Sequence, residues 1–185
     1  VNEVVYEYNG LGALETEYQE HVGAKDGSTL SVQYSYDTTS DSNVLTKGLR
    51  LTNVTYPNGR ESFRDYGTTG SLADKLNRLS AVLDDNGSGA AGSTLASYSF
   101  NGAGRLVLED FEEPDVRLDY YGGSSGTYAG FDRFGRIQLQ LWRDYGASED
   151  REEFAYDYDY NSNRKYRGNV VAAAASKKLY ELYAY

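Results

Sequence analysis

Tyr98-Ser-Phe-Asn-Gly-Ala-Gly-Arg-Leu106 reads as aromatic, any residue, aromatic, Asp or Asn, two residues, Gly, any residue, aliphatic. The same order opens the chain at Tyr6-Glu-Tyr-Asn-Gly-Leu-Gly-Ala-Leu14. Successive side chains of a strand point to opposite faces, so Tyr6 and Tyr8 share one face and Val5 and Glu7 the other. Asn9 and Gly12, first and fourth in the next four residues, suit a type I turn. Leu14 to Tyr18 is then the returning strand. One unit is strand, turn, strand, turn.

The pattern recurs along the chain. The second box, Tyr34-Ser-Tyr-Asp37, lacks a prompt Gly, and Thr38 to Asn43 reads as a polar insertion before a strand over Leu49 to Tyr56. Asn58-Gly59 is a strong hairpin signal. Tyr66 begins a degenerate third box. Within it, Ser71-Leu-Ala-Asp74 matches a helix capping box and predicts one or two helical turns, followed by a strand over Arg78 to Leu83. Asp84 to Ser93 reads as a loop. The fourth box contains Tyr98, Phe100, Asn101, Gly104 and Arg105. The fifth, Phe131-Asp132-Arg-Phe-Gly135-Arg136-Ile137, puts Ala129 where the first Tyr belongs. The sixth is Tyr156-Asp-Tyr158-Asp159-Tyr-Asn-Ser-Asn-Arg164. Asn169 to Ser176 predicts a short alanine-rich helix, and Tyr183-Ala-Tyr185 starts a seventh box.

The second aromatics lie at 8, 36, 66, 100, 131, 158 and 185, in steps of 28, 30, 34, 31, 27 and 27. A period near thirty marks stacked supersecondary units. Chance recurrence of Tyr would not place Asp or Asn and then Gly behind most of these aromatics. The fold class that follows is all-β: antiparallel hairpin repeats in one continuous spiral sheet, shell or tube, with at most one or two very short helices. The boxes extend over 6–14, 34–37, 66–79, 98–106, 129–137, 156–164 and 183–185, and the whole chain reads as one section of a repeat array continuing beyond both ends.

Composition agrees. Hydrophobic residues make up 39% of the chain, enough for a core, and 19 Tyr favour strands over helices. Twenty Gly against two Pro fits many tight turns. The formal charge of −10 argues against nucleic acid and anionic membrane surfaces as partners. The absence of Cys removes disulfides, thiolate metal sites and thiol catalysis. No apolar run is long enough for a spanning helix, and Val1 to Val5 is no signal peptide. With no initiator Met, the chain is expected to be an excerpt from a longer protein.

The boxes resemble the YD repeats of the RHS family, whose consensus is Tyr-x-Tyr-Asp-x-x-Gly-Arg-Leu. The match is best at Tyr98 to Leu106 and Phe131 to Ile137, and Ser162-Asn-Arg164 is similar to the family's Gly-Asn-Arg variant. The resemblance implies an antiparallel sheet of hairpins winding in a wide spiral. In toxin-complex and teneurin relatives that spiral closes into a hollow shell or barrel. It also implies a large extracellular or cell-surface protein, with neighbouring repeats as partners and either an enclosed polypeptide cargo or self-assembly into a fibre.

Other chemistry is weaker. Gly122-Gly-Ser-Ser-Gly126 matches the nucleophile elbow in form, but Thr127 to Phe131 is no convincing helix and His21 is the single His. Asp157, Asp159, Asn161 and Asn163 resemble the start of a calcium loop, yet Ser162 and Gly168 stand where Gly and a bidentate Glu are required. An alternating strand with Tyr156, Tyr158 and Tyr160 inward explains them better. Glu112, Glu113, Asp115, Glu152 and Glu153 could supply a carboxylate pair, although solvated faces are the simpler reading. His21 reads as a strand residue. Trp142 and the Tyr rows could stack on sugars, but packing is preferred. The expectation is therefore a non-catalytic structural section with no cofactor, no metal and no catalytic residues. The alternative is a glycan- or calcium-binding adhesin module.

Overall fold

A computed structural model of the chain describes residues 2–37, 49–102, 104–120 and 130–185. Its strands are β1 (Glu3–Tyr8), β2 (Leu14–Glu20), β3 (Leu30–Tyr36), β4 (Leu51–Thr55), β5 (Glu61–Asp65), β6 (Ala81–Asp85), β7 (Ala91–Asn101), β8 (Arg105–Phe111), β9 (Val116–Asp119), β10 (Leu139–Asp144), β11 (Glu149–Tyr158), β12 (Arg164–Asn169) and β13 (Tyr180–Leu182). Two short helices, α1 (Leu72–Lys75) and α2 (Val170–Ala174), complete the described elements. The fold is the expected all-β antiparallel sheet, and the strands follow one another in it in chain order. The chain divides within β7 into two compact units, Val1–Leu95 and Ala96–Tyr185.

In the first unit, Val54 on β4 is buried and pairs with buried Ser62 on β5. Ser71 caps α1 by accepting a hydrogen bond from the Asp74 amide at 3.2 Å, as its capping box predicts. The helix ends at left-handed Asn77 (φ 54°), with the Asn77 amide donating to Asp74 and the Arg78 amide to Ala73. This two-bond termination explains why β6 starts at Ala81 rather than Arg78. Strand pairing also runs further than expected over 84–93. Asn86 N–H donates to Ala90 at 2.9 Å, and Gly87 and Gly89 take φ of 84° and 71°. The connection is thus a tight turn between β6 and β7. His21 lies just past β2, not in a strand, because the Glu20 carboxylate accepts from the His21 and Val22 amides, both at 3.0 Å.

In the second unit the buried apolar residues are Ala96, Val107, Leu118 and Leu141, and Val107 is wholly enclosed. Asn169 caps α2 by accepting from the Ala172 amide at 2.8 Å, and Ser176 (φ 61°) ends it in the same two-bond manner as α1. Among the described residues the fully buried apolar set is small in both units, so aromatic and arginine side chains at half-burial carry much of the packing.

Among the described residues of the first unit, an ion pair lies in the interior. Arg50 donates to the Asp74 carboxylate and carbonyl, both at 2.7 Å, and to the Asn77 side chain at 2.6 Å. Both charged side chains are 5% exposed. Removing one charge strands the other, so Asp74→Ala is expected to lower the unfolding free energy by about 3–5 kcal/mol. Urea denaturation at neutral pH measures this, and a loss below about 1 kcal/mol would show that water replaces the carboxylate.

Candidate functional site: the recurring turn and its arginine

In boxes one, five and six the turn is built identically. Asn9, Asp132 and Asp159 each use one side-chain oxygen to accept two backbone amides, two and four residues on, at 2.8–3.0 Å. Their own amides donate to Ala13, Arg136 and Asn163, each at 2.9 Å. The fourth residue is left-handed in all three: Gly12 (φ 79°), Gly135 (φ 75°) and Ser162 (φ 69°). Glycine suits that conformation, and Ser162 adopts it at some steric cost. The Asn58-Gly59 hairpin has the same backbone, with Tyr56 in the Asx place and Gly59 (φ 81°) fourth.

Box four departs from this. Asn101 pairs directly with Arg105, and Gly102 (φ 60°), not Gly104, takes the left-handed conformation. Its sequence matches best, yet its strand pairing runs one step nearer the tip. Ala103 lies outside the described residues.

The remaining boxes are interrupted, but their ends still meet. In box two Tyr36 pairs with Leu51 and the Asp37 amide donates to Arg50 at 2.9 Å, so Arg50-Leu51 occupies the places of Ala13-Leu14. The expected insertion at 38–43 lies outside the described residues. In box three Asp65 pairs with Ala81 as Glu7 pairs with Thr16, which leaves Arg78-Leu79 in the closing places and α1 in place of the turn.

Box five supplies an aromatic that sequence spacing missed. The first aromatic of a box donates its amide to the preceding return strand, as Tyr156 does to Gln138 (2.9 Å) and Tyr183 to Lys165 (3.0 Å). Tyr120 does the same to Val107 at 3.0 Å, so Tyr120 takes the place expected at Ala129, which lies outside the described residues. The Gly130 amide donates to the Tyr120 carbonyl at 3.0 Å, and a Cβ on Gly130 would fall 2.1 Å from that oxygen. The Tyr120 and Phe131 rings stack with centroids 5.4 Å apart. Read across the gap, Tyr120-Gly130-Phe131-Asp132 is a complete box.

Four of the return strands, β2, β4, β8 and β12, also bulge at one fixed place. Pairing slips at Tyr8, Tyr36, Phe100 and Tyr158, leaving Glu15, Thr52, Val107 and Lys165 unpaired on the opposite strand. The bulged carbonyls of Val107 and Lys165 are the acceptors for the next first aromatic.

A second link joins successive boxes through the closing arginine. Arg50 lies over the Tyr66 ring at 4.6 Å, Arg105 over Phe131 at 4.9 Å and Arg136 over Tyr158 at 4.7 Å. Each ring is the second aromatic of the following box. In boxes two, three and six that aromatic is Tyr, and its hydroxyl donates to the closing carbonyl of the earlier box: Tyr36 to Leu14 (2.8 Å), Tyr66 to Leu51 (2.9 Å) and Tyr158 to Ile137 (2.8 Å). The guanidinium then reaches the next turn. Arg105 donates to Gly135, and Arg136 donates to the Asp159 carbonyl at 3.0 Å and the Ser162 hydroxyl at 3.2 Å. In box six Asn163 holds the arginine place, and Arg164, one residue on, stacks on Tyr183 at 4.5 Å. The outermost aromatics are different: Tyr6, Tyr8 and Tyr185 are 50%, 61% and 80% exposed. Tyr34, Tyr98 and Tyr156, the first aromatics of their boxes, are half-buried.

The other candidates do not converge. Residues 122–126 lie outside the described residues. Both Asp159 oxygens serve the turn, one of them accepting from the Asn163 side chain at 2.9 Å, and Asp157 faces Lys165 at 3.7 Å. Among the described residues no group of three or more His, Asp or Glu gathers as a metal site. Glu112, Glu113 and Asp115 occupy the β8–β9 turn, whereas Glu152 and Glu153 lie on β11 opposite Trp142 and Leu141. Burial, with Asp150 adding to it, raises the Glu153 carboxyl. His21 is exposed and Trp142 half-buried.

No family model matches the chain, and no curated protein sequence matches it. Solved structures share its fold. The Photorhabdus luminescens Tc holotoxin pore with a mutated TccC3 is similar at TM-score 0.56 and 13% identity, over 86% of this chain and 7% of that one. The TcdB2-TccC3-TEV structure is similar at TM-score 0.57 and 13% identity, over 91% of this chain and 8% of that one. The TcdB2-TccC3-Cdc42 structure is similar at TM-score 0.57 and 14% identity, over 88% and 7%. This chain spans less than a tenth of each, and the likeness is one of fold.

The turn carboxylates titrate low. Burial works to raise Asp132 but is outweighed by the Arg136 and Phe134 amides and the Arg136 guanidinium. The Asn163 side chain, then its amide and that of Asn161, lower Asp159 against burial. Such depressed groups contribute stability above the ordinary Asp value of about 3.9, and lose it as pH falls through their folded values. Asp132→Asn/Asp159→Asn is therefore expected to flatten the decline in stability below about pH 4, followed by denaturation at stepped pH. For the arginine link, a double-mutant cycle of Arg136→Lys with Tyr158→Leu should give a coupling energy of about 0.5–2 kcal/mol. Strict additivity in chemical denaturation would remove the link as a stabilising element.

Proposed function

We propose that this chain is a structural, non-catalytic section of an RHS-like wall in a large extracellular or cell-surface protein. The observation that carries this reading is the link itself: one box's arginine and closing carbonyl are completed by the next box's aromatic. Such a link makes each hairpin depend on its successor, which is the logic of a repeat array rather than of a site. The sequence resemblance and the likeness in fold to toxin-complex structures support it independently. On this reading the partners are neighbouring repeats, and the wall either encloses a polypeptide cargo or runs on as a fibre.

A second reading has one observation in its favour. Exposed Phe134 (66%) and Tyr160 (104%) flank an open groove of about 730 Å³ that also carries Asp157 and Lys165. Aromatic plates beside polar groups suit a glycan-binding adhesin. Cryo-electron microscopy of the full-length natural protein, paired with limited proteolysis and a glycan array, separates the two. The wall reading expects this stretch within a continuous sheet around an interior or along a fibre. An isolated solid domain whose glycan binding is lost on Tyr160→Ala would overturn it.

A further inference from the structure

Asn-Gly steps occur in the sequence at 9–10, 58–59, 86–87 and 101–102. Asparagine before glycine can react with its own backbone, because a following residue without a side chain lets its nitrogen approach the side-chain amide carbon. All four steps lie at turns and share the same next residue, so the fold has to discriminate among them. At three of them the groups that must react are tied. Asn9 Oδ1 accepts the Leu11 and Ala13 amides, both at 3.0 Å. Asn58 Oδ1 accepts from the Arg60 amide at 3.1 Å, and the Gly59 amide donates to the Tyr56 carbonyl at 2.8 Å. Asn86 Oδ1 accepts from the Ser88 amide at 2.8 Å, and the Gly87 amide donates to the Asp85 carboxylate at 2.7 Å. Two hydrogen bonds must break at each of these before a ring can close.

Asn101 is different. Its extra step of strand pairing, opposite Arg105, stands where Asn9 instead makes its side-chain bonds. Asn101 is exposed, and among the described residues no hydrogen bond holds its side chain. We propose that Asn101-Gly102 is a self-modification site, where the chain converts Asn101 to aspartate or isoaspartate with water as the co-reactant. The Gly102 nitrogen attacks Asn101 Cγ and forms a C–N bond. The Cγ–Nδ2 bond breaks, and Nδ2 leaves as ammonia with the proton that Gly102 gives up. Water then adds to one of the two carbonyls of the resulting succinimide. Opening at Cγ gives aspartate, and opening at the main-chain carbon gives isoaspartate; no atom is oxidised or reduced. Either product puts a carboxylate opposite Arg105, whose guanidinium covers Phe131 and reaches Gly135 in the next box. The reaction belongs to this turn and does not depend on the wall reading.

The test incubates the 185-residue chain at neutral pH, native and in urea, and follows all four sites by tandem mass spectrometry. A protein isoaspartyl methyltransferase with labelled S-adenosylmethionine counts isoaspartate separately. In the native chain Asn101 should convert about tenfold faster than Asn9, Asn58 or Asn86, the factor expected when weak hydrogen bonds need not break first. In urea the four rates should converge. Asn101→Gln, at an exposed position, should remove the early methyl acceptance from the native chain, and the native-against-urea comparison decides the question without that variant. Another site leading in the native chain, equal native rates at all four, or the same order persisting in urea would each overturn the proposal.

Discussion

The structure depends on a guanidinium placed over the aromatic ring of the following repeat. Arg50, Arg105 and Arg136 each make this contact, and the Tyr66 and Tyr158 hydroxyls tie the same ring to the strand beneath. A cation over a ring contributes about 0.5–2 kcal/mol, depending on how dry it is. A hydroxyl-to-carbonyl bond adds roughly 0.5–1.5 kcal/mol. Against a fully buried apolar set limited to residues such as Val54, Val107, Leu118 and Leu141, contributions of this size per repeat are substantial. Stability is then spread along the chain as nearest-neighbour terms. Arginine is needed because a lysine ammonium cannot both lie flat on a ring and reach two acceptors in the next turn.

That constraint also explains where extra residues are tolerated. The ring, the closing carbonyl and the bulged carbonyl lie on the strands, and what the arginine reaches beyond them differs from box to box: Gly135 for Arg105, Asp159 and Ser162 for Arg136, Asp74 and Asn77 for Arg50. Box two accordingly lengthens between Asp37 and Arg50, and box three fits α1 before Arg78. Box five separates Tyr120 from Gly130 while their backbones remain hydrogen-bonded. At that pinch glycine is obligatory for steric reasons, since a side chain at 130 would collide with the Tyr120 carbonyl. The thirty-residue spacing is therefore a consequence of added segments as much as of the strands themselves.

Much of this was legible in the sequence where local chemistry acts alone. Aromatic alternation located β1, β3 and β11, Asx and Gly located the turns at Asn9 and Asp132, the Ser71 capping box located α1, and alanine richness located α2. What escaped was whatever hydrogen-bond register decides across a gap. Ala129 has the right linear position for an aromatic, but Tyr120 has the right amide. Arg50-Leu51 closes a box that opens at Tyr34, and no residue-by-residue spacing shows it. The turn at Asn101 differs from its relatives because two glycines were available and pairing chose Gly102. The arginine link was absent from the sequence reading altogether. A signal existed: Arg precedes the closing aliphatic at 50, 78, 105 and 136.

The same link reshapes what the net charge means. Of the cationic side chains, Arg50, Arg105 and Arg136 lie over aromatics of the next box. Arg60, Arg117, Arg143 and Arg151 face the carboxylates of Asp84, Asp110, Asp150 and Asp144. These cations are engaged within the chain, whereas the formal charge of −10 leaves an excess of carboxylates. The surface offered to partners is thus acidic, and it repels polyanions at long range.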